Sequence, residues 1–183
     1  MQSPPPAPVL VIEGSARDDG NTAALTASVL WHLKCGAVTR IDLSRLTIAP
    51  YNYAGRYEED DDFLSIAALM RDARAIVLAS PVYWYSMSGP MKVFFDRLTD
   101  LTDTHKAAGK ALAGKRVFVI ATGNSAEPPA AFEPPFADTA RYFNMDYGGM
   151  LYGRGREVIE QEAAAFAARI GDAVSAAALS HGR

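Results

Sequence analysis

At 183 residues, 49% hydrophobic and 21% charged, the chain has the size and make-up of one globular domain. A net charge of −3 without a lysine/arginine cluster argues against a nucleic-acid surface, and no apolar run approaches the roughly 20 residues of a membrane span. Cys35 is the single cysteine and His32, His105 and His181 lie far apart, so neither a disulfide, a cysteine-held cluster nor a metal site is expected.

Residues 1–8 are proline-rich and lack the basic and apolar regions of a secretory signal, which predicts a flexible lead-in to a cytoplasmic protein. One domain is expected over 9–180, since no repeat or interior linker interrupts it. Residues 9–12 form a continuous apolar run, the pattern of a strand buried on both faces. Leu25, Val29 and Leu33 then recur every four residues and predict a helix that begins near Asn21. Between the two lies Gly14-Ser-Ala-Arg-Asp-Asp-Gly-Asn-Thr22. A strand, a small-residue loop and a helix in that order present free backbone N–H groups and the positive end of a helix dipole, a setting suited to phosphate. Ser15, Asn21 and Thr22 add short polar side chains and Arg17 adds charge. The spacing matches neither a Walker loop, which has one residue fewer between its glycines and then a lysine, nor the three-glycine dinucleotide fingerprint. An ordinary turn capped by Asn21 or Thr22 is the alternative for this loop taken alone.

Gly36 is placed to end the first helix, and Cys35 beside it reads as a small buried residue. Residues 37–43 predict a second strand, more polar and nearer an edge. A long connection follows, with Tyr51, Asn52, Tyr53 and an acidic cluster at 58–62, whose simplest role is the first turn of a helix over 64–71. Residues 75–80 predict a third buried strand. After it comes the aromatic-rich loop Pro81-Val-Tyr-Trp-Tyr-Ser-Met-Ser88, then Gly89-Pro90 at the start of another helix. Met91, Phe94, Phe95, Leu98 and Leu101 form that helix's apolar stripe, with Lys92 and Asp96 as a solvated pair on its other side. Residues 102–114 predict a mobile connection, 115–121 a fourth strand ending in Thr122-Gly123-Asn124, and 125–135 a proline-rich loop. A helix over 136–144, a strand over 146–152 and a closing helix over 157–179 complete the pattern. Gly148 and Gly149 inside the last strand mark close packing or a bulge.

Five strands alternating with helices imply a doubly wound parallel sheet with helices on both faces. Ligands of such sheets sit beyond the carboxyl ends of the strands. Three loops are candidates for that edge. The first suits phosphate, the aromatic one suits a flat ring, and Thr122-Gly123-Asn124 suits hydrogen bonding to the ring's polar edge. Together these chemistries describe flavin mononucleotide (FMN).

Residues 15–22 resemble the phosphate loop of the NADPH-dependent FMN reductase family. Ser80-Pro-Val-Tyr-Trp-Tyr-Ser-Met-Ser-Gly-Pro-Met-Lys-Val-Phe-Phe-Asp-Arg97 is similar to that family's flavin-ring loop and following helix. The resemblance implies an α/β, flavodoxin-like three-layer sandwich with strand order 2-1-3-4-5, noncovalent FMN and a homodimer. It assigns Ser15, Arg17, Asn21 and Thr22 to the phosphate, Pro81, Val82, Tyr83 and Trp84 to the ring, and Thr122 and Gly123 to the facing loop. Two departures stand out. Tyr51, Asn52 and Tyr53 occupy a connection where iron–sulfur relatives carry cysteines, and Asp18 and Asp19 put negative charge in the phosphate loop. The activity implied is hydride transfer from NADPH or NADH through FMN to a quinone, free flavin or another small acceptor, with no catalytic side chain, the cofactor carrying the chemistry. The alternative is a flavodoxin-type electron carrier without nicotinamide turnover.

Overall fold

A computed structural model describes residues 8–15, 17, 19–34 and 36–180, the last four by their backbone alone. The readings of Asp18, Cys35 and residues 1–7 fall outside it. Pro8 is already tied down, because its carbonyl accepts hydrogen bonds from the N–H groups of Arg74 and Ala75.

Five strands, β1 (Val9–Glu13), β2 (Val38–Asp42), β3 (Ala75–Pro81), β4 (Arg116–Gly123) and β5 (Asp146–Arg154), form one parallel sheet in the order β2-β1-β3-β4-β5. Alternate residues supply two separate cores. Val9 and Val11 of β1 and Val77 of β3 face a layer made by α1 (Asn21–His32) and α6 (Glu160–Ser180), through Leu25, Val29, Phe166 and Ile170. Leu10, Ile12 and Ile76 face the opposite layer, which contains α2 (Phe63–Asp72), α3 (Gly89–Arg97) and α5 (Pro134–Tyr142), with Phe63, Phe94 and Phe136 among its buried rings. All seven residues of β3 are buried, as expected of a central strand covered on both faces, whereas β2 at the edge is only partly covered. This is the expected three-layer, flavodoxin-like α/β sandwich.

Two regions differ from the sequence reading. Residues 102–114 are not a structureless connection: a 3₁₀ turn (Leu98–Leu101) extends α3, and a short helix, α4 (Lys106–Lys110), packs Gly109 against the Leu101 backbone. The acids at 58–62 are not the first turn of α2 either, since they precede Phe63. Asp62 accepts the Thr47 N–H at 2.9 Å, and Asp61 has a larger task.

Arg97, the last residue of α3, is 1% exposed and pairs with Asp61 at 2.7 Å and Asp100 at 2.8 Å, both acids also buried. Its guanidinium lies over the Tyr57 ring, 3.3 Å from the centroid, and donates to the Ala49 carbonyl at 3.0 Å. Asp61 in turn accepts from the N–H groups of Ala49 and Phe63. One buried cation thus fastens the whole connection between β2 and α2 to the end of α3. Asp96, its neighbour, pairs with exposed Lys92, as the sequence spacing predicts.

The glycine pair of β5 marks both a bulge and a close approach. The β4–β5 register shifts between Val117 and Val119, and Gly149 takes φ 97°. A Cβ at Gly148 would sit inside the van der Waals surface of the buried Phe118 ring. Gly148→Ala is therefore expected to cost about 1–3 kcal/mol in urea unfolding. Gly171→Ala in α6, where a Cβ meets nothing within 4 Å, is the control and should not destabilise.

Candidate functional site

The carboxyl ends of β1, β3 and β4 lie side by side, because these strands are neighbours in one parallel sheet. Three buried hydrogen-bond links lock their loops together. Ser88 caps α3, its Oγ accepting the Met91 N–H and donating to the Gly14 carbonyl at 2.5 Å, while its own N–H donates to Ser80 Oγ at 3.0 Å. The Val82 N–H donates to the Thr122 carbonyl at 2.8 Å. The buried hydroxyls of Thr22 and Thr122 share a hydrogen bond at 2.6 Å, 100 residues apart in sequence.

Above these links is a cavity of about 300 Å³. Ser15, Arg17, Asn21 and Thr22 line it from the loop after β1 and the start of α1, Pro81, Val82 and Tyr83 from the end of β3, and Thr122 and Gly123 from the end of β4. The structure brings together every residue singled out from the sequence except Trp84. Gly20 and Asn124, from two of the candidate loops, also line it, and Arg156, which sequence reasoning missed, completes the wall. Arg156 follows β5 and reaches the site because the Gly155 N–H donates to the Gly123 carbonyl at 2.7 Å, a contact between segments some thirty residues apart that no local pattern announces. The only hint in the sequence was a glycine between two arginines, Arg154 and Arg156, just past the last strand.

The α1 end of the cavity is built from backbone as much as from side chains. The helix α1 begins after Gly20, whose lack of a side chain leaves the first N–H groups uncapped toward the space that Gly20, Asn21 and Thr22 border. Ser15 shapes the loop: its hydroxyl donates to the Arg17 carbonyl at 3.2 Å and accepts the Arg17 N–H at 3.3 Å. The Arg17 side chain meets Asp19 only at 3.6 Å, with both groups mostly exposed, a pairing too weak to withhold its charge from an anion. Arg17 and Arg156 both line the cavity, and the dipole of α1 adds positive potential where Gly20, Asn21 and Thr22 border it.

At the other end the chain makes a tight turn. Tyr83 and Ser86 exchange backbone hydrogen bonds of 2.9 and 3.0 Å, and the two residues between them, Trp84 and Tyr85, take left-handed φ values of 48° and 68°. Such a turn is ordinarily built from asparagine and glycine. Here it holds Tyr83 against the cavity and lifts Trp84, 92% exposed, to the tip of the loop. Tyr152, behind Gly123, donates its hydroxyl to the Ser125 carbonyl at 3.0 Å, and its phenol is pushed above the usual range by burial.

A parallel sheet wound in this order, with a cavity at the point where the strand order reverses, defines a flavodoxin-like protein. The chain belongs to the NADPH-dependent FMN reductase family, whose model matches residues 7–133. It is 27% identical over 157 residues to YwqN of Bacillus subtilis (strain 168), whose name assigns it as an NAD(P)H-dependent FMN-containing oxidoreductase; the match covers 80% of this chain and 84% of that one. It is 28% identical over 132 residues to an iron-sulfur flavoprotein of Archaeoglobus fulgidus, covering 66% of this chain but 58% of that longer one. The structure of the Trp repressor binding protein of Bacillus subtilis superposes with a TM-score of 0.67 at 23% identity, over 88% of this chain and 96% of that one, a likeness of fold.

Among the described residues no group of histidine, cysteine or acidic side chains could hold a metal ion, and no helix is long and apolar enough to cross a membrane.

Proposed function

We propose that the protein is an FMN-dependent NAD(P)H oxidoreductase, with residues 9–180 acting as one FMN-binding domain. The observation that carries this reading is the single cavity that joins the anion cradle of α1 to the loops after β3 and β4. The residues present fit the cofactor: uncapped N–H groups, Ser15, Arg17, Asn21, Thr22 and Arg156 suit a dianionic phosphate, and Pro81, Val82 and Tyr83 opposite Thr122, Gly123 and Asn124 suit a flat ring with one polar edge.

Bound FMN would supply hydride acceptance from a reduced nicotinamide and delivery to a small acceptor, for which quinones and free flavin are candidates. The chain's own task is placement. The buried Thr22–Thr122 hydroxyl pair ties the phosphate end to the ring end, so that both ends hold one fixed separation. The Ser88 hydroxyl anchors the loop after β1 to the start of α3, which keeps the cradle preformed and lowers the ordering cost of binding. In this reading the protein binds and orients while the cofactor carries the chemistry. Trp84 and Tyr85, exposed beside the cavity, favour a homodimer in which a second copy covers them. The cytoplasm, which supplies reduced nicotinamides, is the compartment this reading implies.

The test is an absorbance titration of the purified protein with FMN, followed by anaerobic NADPH or NADH in the same cuvette. A perturbed flavin band near about 450 nm that bleaches on adding either nicotinamide is the expected result. A band that forms but does not bleach would leave an electron carrier in place of the reductase. Flavin that stays unperturbed at saturating concentration would remove both.

A further inference from the structure

A second and larger cavity, about 610 Å³, lies on the other side of the phosphate loop, between the carboxyl ends of β1 and β2 and the start of α2. It is not part of the ring slot, since neither the loop after β3 nor that after β4 reaches it. Ser15 and Arg17 nevertheless line both cavities, so the two meet at the phosphate loop.

The walls of this second cavity have two characters. Ala23, Ile41, Leu46, Ile66 and Leu69 give apolar surface from three elements, a setting for a flat, weakly polar ring. The rim is ionic and prearranged. Glu13 accepts two hydrogen bonds from Arg40, at 3.1 and 2.8 Å, and Asp42 accepts from Arg45 at 3.1 Å and from the Ser44 N–H at 2.9 Å. Asp42 stands at the carboxyl end of β2, the second strand of the fold. In dinucleotide-binding Rossmann sheets, where β2 also lies beside β1, a carboxylate near that end meets the ribose diol of the adenine nucleotide, and an arginine beside it accommodates a 2′-phosphate. This chain lacks their glycine fingerprint but has the same pair of side chains there. Apolar walls for a purine, a carboxylate with a neighbouring arginine for the ribose, and Ser15 and Arg17 of the shared loop for the phosphate therefore line one cavity.

We propose that this cavity is an adenylate subsite, which takes the AMP unit of a dinucleotide whose phosphates lie against Ser15 and Arg17. The inference rests on the reading of the first cavity as the flavin site. Two dinucleotides carry such a unit into this protein's reach: FAD, in which AMP continues from the flavin phosphate, and the nicotinamide co-substrate.

Ser65, an exposed residue of α2 on the cavity wall and remote from the flavin slot, provides the test. AMP alone, titrated calorimetrically, is expected to bind the wild type, and Ser65→Trp to weaken it by about tenfold with FMN affinity unchanged. FAD binding tighter than FMN in the wild type but not in Ser65→Trp would assign the AMP unit to the flavin. A raised KM for NADPH with unchanged kcat in Ser65→Trp would assign it to the nicotinamide. Saturable FMN binding without AMP binding, and with FAD and NADPH indifferent to Ser65→Trp, would overturn the subsite and leave the flavin reading intact. AMP binding by a protein that takes no FMN would support the subsite while removing the flavin reading.

Discussion

Arg97→Leu is expected to lower stability by about 3–5 kcal/mol in urea unfolding, a large part of the margin of a domain this size. The substitution leaves Asp61 and Asp100 buried with no cation between them, which costs far more than the loss of a surface pair. Lys92→Ala, which breaks the exposed Lys92–Asp96 pair one turn earlier, is the contrast and should cost about 0.5 kcal/mol or less. A loss below about 1 kcal/mol for Arg97→Leu would show that the buried cluster does not hold the β2–α2 connection. The acid dependence carries a second signature. Burial alone would raise the Asp61 carboxyl, but the hydrogen bonds from Arg97, Ala49 and Phe63 outweigh it and hold the group below its ordinary 3.8. A depressed carboxylate contributes stability that is complete above the unfolded value and is lost as pH falls through the lower folded one. The wild type should therefore weaken below about pH 4 from this group. In Arg97→Leu the burial effect stands with less to oppose it, and mild acidification should recover part of the loss.

The second large effect is on the proposed cofactor. The double variant Arg17→Ala/Arg156→Ala is expected to weaken FMN by about 1.5–3 kcal/mol for each charged hydrogen bond removed, and by about two to four orders of magnitude in combination. Both side chains are exposed, so folding should be unaffected. Riboflavin, which has the ring but no phosphate, separates charge from shape: its affinity should be the same in the wild type and the variant. Parallel losses for FMN and riboflavin would mean that the arginines support the ring end or the fold. Unchanged FMN affinity would place the phosphate elsewhere.

The sheet and its ligand edge were legible because their signals are local. Short apolar runs rich in β-branched residues, such as 75–80, read as strands covered on both faces, and Gly14–Thr22 and Pro81–Ser88 each carry their signal within a few residues. What escaped was set by partners distant in sequence. Asp61 sits in an acidic run that reads as the first turn of a helix, and nothing near it announces a guanidinium 36 residues on. Arg156 is an ordinary exposed cation until the Gly155–Gly123 hydrogen bond swings its turn over the site. Trp84 shows the converse error. Its place in the aromatic loop suggested a wall of the slot, but the left-handed turn reverses the chain there and sends the indole outward.

That turn also says where this protein has room for improvement and what the improvement would sacrifice. Two bulky side chains in left-handed backbone cost on the order of 1–2 kcal/mol apiece, and glycine or asparagine would relieve it. Screens for heat tolerance should thus converge on positions 84 and 85 early. If Trp84 and Tyr85 hold a second copy in place, the winners of such a screen would be sturdier monomers.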